Sequence, residues 1–140
     1  MDKINVALTD RPLDLNSVMA SVTSAEAGGV NVFVGTVRNN TKDKPVVRLE
    51  YEAYDRMAIK EMRKLADEVC EHWPVARIAI HHRKGTLHIG QAAVIIAVAC
   101  PHRKEAFEAC QYTIDTLKER VTIWKKEIFE DGEEWVFSHA

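Results

Sequence analysis

The stretch AAVIIAVAC, residues 92–100, decides how the chain folds. It is apolar at every position, so as a strand it is greasy on both faces, which suits the centre of a sheet covered on both sides. It is followed by Pro101, and at nine residues it is far short of the ~20 needed to cross a bilayer. Working outward, ARIAIHH (76–82) reads as a strand, Lys84-Gly85 as a turn and TLHIG (86–90) as a short strand or bridge. After Pro101 a long helix is expected over about 102–119, with an apolar stripe of Ala106, Phe107, Cys110, Ile114 and Leu117.

Helical and strand periods alternate through the rest of the chain. A first helix starts near Asp14, which can cap it, and runs to about Thr23, with Ala27-Gly28-Gly29 breaking it. VNVFVGTV (30–37) is rich in β-branched residues and reads as a strand; RNNTKDKP (38–45) reads as a mobile polar loop. In VVRLEYEAY (46–54), Val47, Leu49, Tyr51 and Ala53 alternate with Arg48, Glu50 and Glu52. Over 55–72 the period becomes helical, with Ala58, Met62, Leu65, Ala66 and Val69 on one face and Pro74 closing the segment. VTIWKKEIF (121–129) reads as a strand, Asp131-Gly132 as a turn and EEWVF (133–137) as a last strand. The order α-β-β-α-β-β-α-β-β predicts an α+β domain with helices packed on a mostly antiparallel or mixed sheet. A chain of 140 residues fits one domain, residues 1–140.

Composition narrows the function. Net charge is −2, so bulk electrostatics do not suggest nucleic acid, and an anion site must be a local cluster of cations. No membrane-spanning run is present, and MDKINVALTDRPLDL lacks the pattern of a signal peptide; both predict a cytoplasmic protein. Cys70, Cys100 and Cys110 are odd in number, form no CxxC pair and sit among apolar residues, which suits small core side chains rather than disulfides or a zinc ribbon. His81 and His82, adjacent on a strand, point to opposite faces and do not easily share a metal; His82, on the Ile78 and Ile80 face, suits packing or hydrogen bonding. No metal-ligand set is read and no cofactor is called for.

Cations do cluster locally. LKERVTIWKKE (117–127) holds Lys118, Arg120, Lys125 and Lys126 around an apolar stretch. Lys118 falls in the last turn of a helix, where a cation suits the dipole and needs no further role. Strand alternation puts Lys125 on the inward face with Ile123 and leaves Lys126 on the other; Lys126 and Arg120 read as a solvated face. An inward lysine either snorkels or serves chemistry, and two converging lysines would depress each other's pKa toward the range of an acid, base or nucleophile. Arg38, after GTV at a strand end, suits either binding or solvation. His102 and Arg103 open the long helix, where free N–H groups favour a phosphate or carboxylate; an ordinary polar helix start is the alternative. His102 and Lys118 lie sixteen positions apart on that helix, ~24 Å along its axis. One chain cannot bring both to one small ligand, so either two subunits share a site or the residues belong to separate ones.

Several motifs stand together in order: FVGTVR (33–38), LEYEAY (49–54) with Met57-Ala58, HRKG (82–85), HR (102–103) with AF (106–107), IDTLK (114–118), IWKKE (123–127) and DGEEW (131–135). Over about residues 28–136 the chain resembles the large, catalytic subunit of molybdopterin synthase. The resemblance implies an α+β fold of the α/β-hammerhead type. It implies a homodimer with a small ubiquitin-like subunit docked on each chain, giving a heterotetramer. It implies transfer of two sulfurs, from the thiocarboxylated Gly-Gly tail of that small subunit, to cyclic pyranopterin monophosphate (precursor Z), forming the molybdopterin dithiolene. On the residues that match, it makes Lys118 and Lys125 catalytic and substrate-binding, Arg38 substrate-binding, His102 and Arg103 a pair reaching the site from the neighbouring subunit, and Phe33 and Ile114 pocket-lining. Thr122 stands where the family usually has proline, which questions the tightness of the helix-to-strand turn. His139 is the nearest stand-in for a basic residue that often follows the final tryptophan. Two rivals remain open: a non-catalytic module docking an acidic tail, and a phosphate-ester enzyme acting alone through His102 and Arg103.

Overall fold

The computed structural model describes residues 2–136. His139 and Phe137, the end of the expected last strand, lie outside them. Ala92–Cys100 forms β7, the strand expected from its apolar run, and it does sit inside a sheet. That sheet has four strands in the order β1-β5-β7-β2, with β1 at Ile4–Thr9, β5 at Arg77–Arg83 and β2 at Gly29–Thr36. β1 runs parallel to β5, and the other two pairings are antiparallel.

Both faces of β7 are covered, two helices lying on one side of the sheet and one on the other. Val94, Ile96, Val98 and Cys100 join the main core beneath α2 (Asp55–His72) and α3 (Arg103–Arg120). Ile95, Ala97 and Ala99 face the opposite way, onto Val18 and Val22 of α1 (Leu15–Val22). Small residues at 97 and 99 let that short helix approach closely. Burying one Ile of this strand contributes about 1.5–3 kcal/mol. Asp14 caps α1 as expected, its carboxylate accepting from the Asn16 and Ser17 N–H groups.

A second, antiparallel sheet carries β3 (Asn40–Thr41), β4 (Lys44–Ala53), β8 (Ile123–Phe129) and β9 (Gly132–Val136), with β6 (Gly85–His88) also paired to β4. The expected sheet is therefore two sheets, one mixed and one antiparallel, carrying three helices.

Five expectations need correction. Residues 4–9 form a strand, because the Ile4, Val6 and Leu8 side chains find the core once β5 is there to pair with. The 38–45 loop contains a hairpin: β3 turns into β4 through Lys42 (φ 51°) and Asp43 (φ 64°), with the Asp43 N–H held by the Asn40 side chain. Val47 is 42% exposed and Val46 is buried in its place, because a bulge between Val46 and Arg48 slips the alternation by one residue. Phe107 is 59% exposed; Ala106, Ala109, Cys110, Thr113, Ile114 and Leu117 make the buried stripe of α3 instead. Gly28 and Gly29 do not end α1. They let β2 start against the head of α3: a Cβ on Gly28 would sit 2.5 Å from the Pro101 carbonyl oxygen, and one on Gly29 2.9 Å from Arg103 Cα.

The expectation for α2 holds in full, since Ala58, Met62, Leu65, Ala66 and Val69 are its buried residues. No described helix is long and apolar enough to cross a membrane.

Candidate functional site

The two sheets and the end of α3 meet around a cleft of about 290 Å³. β2 supplies Phe33 through Thr36, β7 supplies Ala93 and Val94, and β4 supplies Leu49 and Tyr51. Cations arrive from three directions: Arg38 just after β2, Lys118 from the last turn of α3, and Lys125 from β8. Gly35 keeps the β2 wall thin, since a Cβ there would lie 2.8 Å from Val94 Cγ1 and 3.2 Å from the Phe33 ring.

Strand register places the floor. On β8, Lys125 pairs across to Tyr51 and Glu127 to Leu49, so all four side chains stand on one face. Lys125 thus points inward as alternation requires. Burial pushes the Lys125 pKa below its ordinary value, Lys118 and Arg38 push the same way, and Glu127 opposes them. Tyr51 is raised to about 12, first by burial and then by the Glu127 carboxylate.

Glu127 and its partner Thr41 line the cleft without having been expected there. Glu127 is 6% exposed, accepts a hydrogen bond from the Thr41 hydroxyl and lies beside Lys125. The alternation that singled out Lys125 also selects Glu127 two residues on, so the signal was present. A neighbouring cavity of about 400 Å³ shares Arg38, Thr41, Lys125 and Glu127 and extends toward Lys42, Lys44 and Phe129.

Of the expected site residues, Phe33, Arg38, Lys118 and Lys125 come together in the one cleft. Ile114 lines a smaller adjoining cavity of about 50 Å³ with Lys118, Tyr51 and His82. His82 there is buried, stacks edge-on against Tyr51 at 5.3 Å and has Nδ1 2.8 Å from the Arg83 carbonyl, the packing role expected. His102 and Arg103 sit elsewhere, in a depression with Gly28, Pro101 and Lys104 at the opposite end of α3.

Lys126 and Arg120 are not simply solvated. Lys126, its side chain 18% exposed, lies 4.7 Å over the Trp135 ring and 3.7 Å from Glu133. Arg120 is paired with Glu68 of α2. With Tyr112 also donating, Arg120 holds the Glu68 carboxyl at about 2.

Two of the three cysteines match the core reading: Cys100 and Cys110 are buried, and burial pushes both thiols up to about 11, whereas Cys70 is only partly buried at the edge of the main core. Among the described residues no cluster of His, Cys, Asp or Glu could hold a metal ion.

Fold and cleft together define a class, an α+β protein whose two sheets close on a half-enclosed pocket rich in lysine and arginine. Comparison with known proteins makes the class specific. Residues 8–120 match the family model described as MoaE protein. The molybdopterin synthase catalytic subunit of Bacillus subtilis (strain 168) is 49% identical over 129 residues, 92% of this chain and 82% of that protein. The crystal structure of molybdopterin synthase from Staphylococcus aureus superposes with a TM-score of 0.89 at 42% identity, covering 97% of this chain and 98% of that one. A chain of the complex of subunits 1 and 2 of molybdopterin-converting factor from Helicobacter pylori 26695 has the same fold, with a TM-score of 0.75 at 21% identity over 96% of this chain and 90% of that one. The chain belongs to the MoaE family of molybdopterin synthase catalytic subunits, sulfurtransferases of molybdenum cofactor biosynthesis.

Proposed function

We propose that residues 1–140 act as one catalytic domain that moves two sulfurs, one at a time, from the thiocarboxylated Gly-Gly tail of a small ubiquitin-like subunit to cyclic pyranopterin monophosphate. The observation that carries this reading is the convergence of Arg38, Lys118 and Lys125 on one cleft with Phe33 in its wall. Donor tail and substrate phosphate are both anionic. Guanidinium and ammonium groups bind such oxygens through charge-assisted hydrogen bonds and stabilise charge that develops as the thioacid is cleaved. The thin wall at Gly35 suits a tail without side chains. Sulfur arrives on the partner, so the buried, high-pKa cysteines need take no part.

Lys118 and Lys125 are the catalytic pair in this reading, either accepting the tail's acyl group or moving protons. His102 and Arg103 complete the substrate site from a second copy of the chain, and each chain docks one small subunit, in a cytoplasmic heterotetramer. Support for the docked partner comes from the family resemblance and from the Helicobacter pylori neighbour, which was solved as a complex of two subunits.

The test is an assay of molybdopterin formed from thiocarboxylated small subunit and precursor Z. Lys118→Ala is expected to lower turnover by about 10²-fold or more, with circular dichroism and oligomeric state unchanged. Near-normal turnover of that variant, or no product from the unaltered protein with both ligands shown to bind, overturns the reading.

A further inference from the structure

Lys118 and Lys125 lie on either side of the turn from α3 into β8, so their spacing depends on how that turn is held. Val121 and Ile123 are buried and point the chain inward. Two backbone bonds shape it: Val121 N–H to the Leu117 carbonyl at 3.0 Å, and Ile123 N–H to the Val121 carbonyl at 2.8 Å. The residue between them is anchored from another element. Glu61 of α2 accepts from both the Thr122 backbone N–H, at 3.0 Å, and the Thr122 hydroxyl, at 2.7 Å, with the same Oε1 atom. Glu68, seven residues further along α2 and therefore on the same face, holds Arg120 at the end of α3. Helix α2 braces the turn at two points, and neither carboxylate lines the cleft.

We propose that Glu61 is a positioning residue for the sulfur transfer: through Thr122 it fixes the turn that sets where Lys118 and Lys125 stand relative to each other. The inference rests on the synthase reading above for its catalytic consequence, and on the hydrogen bonds alone for its structural one. Glu61 acts at a distance from the reacting atoms. Its loss therefore misplaces the lysines without removing a binding group, and a shift of that kind lowers turnover more than it weakens substrate binding.

Thr122 offers a way to separate bracing from general stability. Its N–H goes to Glu61 rather than to a strand neighbour, so a proline there loses no ladder bond. Val121, with φ −83° and ψ 133°, already has the extended backbone that a following proline requires. Proline at 122 fixes φ by its ring, so the turn no longer needs an acceptor on α2.

The experiment compares Glu61→Ala, Glu61→Gln, Thr122→Pro and the double variant Glu61→Ala/Thr122→Pro in the assembled enzyme, below the lowest melting temperature of the set. Glu61→Ala is expected to lower kcat by about 10-fold with KM for precursor Z within about 2-fold. Glu61→Gln, which keeps an acceptor oxygen, stays within about 2-fold of the unaltered enzyme. In the Thr122→Pro background, Glu61→Ala has no further effect beyond about 2-fold. Nitrogen NMR of the lysine side chains adds a readout independent of turnover: the Lys125 amine signal moves in Glu61→Ala and returns in the double variant. Unchanged kcat in Glu61→Ala overturns the proposal, as does a full Glu61→Ala penalty in the proline background. If the unaltered enzyme makes no product, the synthase reading has failed instead, and the NMR comparison still decides the brace: no movement of the signal in Glu61→Ala overturns it.

Discussion

Lys125 shows how one side chain's surroundings set the chemistry available to it. Its pKa lies below the ordinary 10.5, chiefly through burial, with Lys118 and Arg38 adding like charge. A lysine with a lowered folded-state pKa binds fewer protons folded than unfolded. Its charge therefore costs stability below the folded pKa, and the cost fades as pH rises to 10.5. Lys125→Met is accordingly expected to melt higher than the unaltered protein at pH 7, with the gap closing toward pH 10.5, while losing activity. Thermal melts across that range check the sign; a variant that melts lower at pH 7 contradicts it. The inward direction of Lys125 was legible because strand alternation is local. Glu127 was legible by the same rule, yet counting only cations hid it. Its partner Thr41 was not, because that contact spans 86 positions and needs the hairpin that brings β3 across.

The elements show where local pattern stops being enough. The buried stripe of α2 and the doubly apolar β7 were readable because each depends on spacing within one segment. The hairpin at 42–43 was not, because Lys-Asp lacks the Asn-Gly signal of a tight turn although both residues take positive φ. Nor was the β4 bulge, which only the pairing with β8 imposes. The turn supplies a prediction of its own. Holding non-glycine residues in the left-handed region costs roughly 1–2 kcal/mol each, less for Asp. Replacing Lys42 by Asn and Asp43 by Gly should therefore stabilise the hairpin by about 1 kcal/mol, visible as a higher urea midpoint at unchanged slope. Thr41 and Glu127 keep their contact in that variant, so turnover is expected to stay level. A lower midpoint means that the turn carries no such strain.

Across the whole molecule, the expected site residues stand at two opposite ends of one helix. Helix α3 runs from His102 at its cap to Lys118 in its last turn, ~24 Å away, and the two residues line different cavities. The helix length behind that separation was legible from its period and from Pro101. The parallel edge strand β1 was not, because its partner β5 lies some seventy residues further on and no turn announces the pairing. If His102 and Arg103 serve the cleft, they serve the cleft of another copy, and complementation tests this directly. Let His102→Ala chains exchange with Lys118→Ala chains. Each hybrid dimer then holds one site with both residues intact and one with neither. With free exchange half the dimers are hybrids, so the mixture should regain about a quarter of full activity although each parent has almost none. Native mass spectrometry verifies the exchange. Hybrids that form and stay inactive would place His102 outside the sulfur-transfer site and return the head of α3 to an ordinary polar helix start.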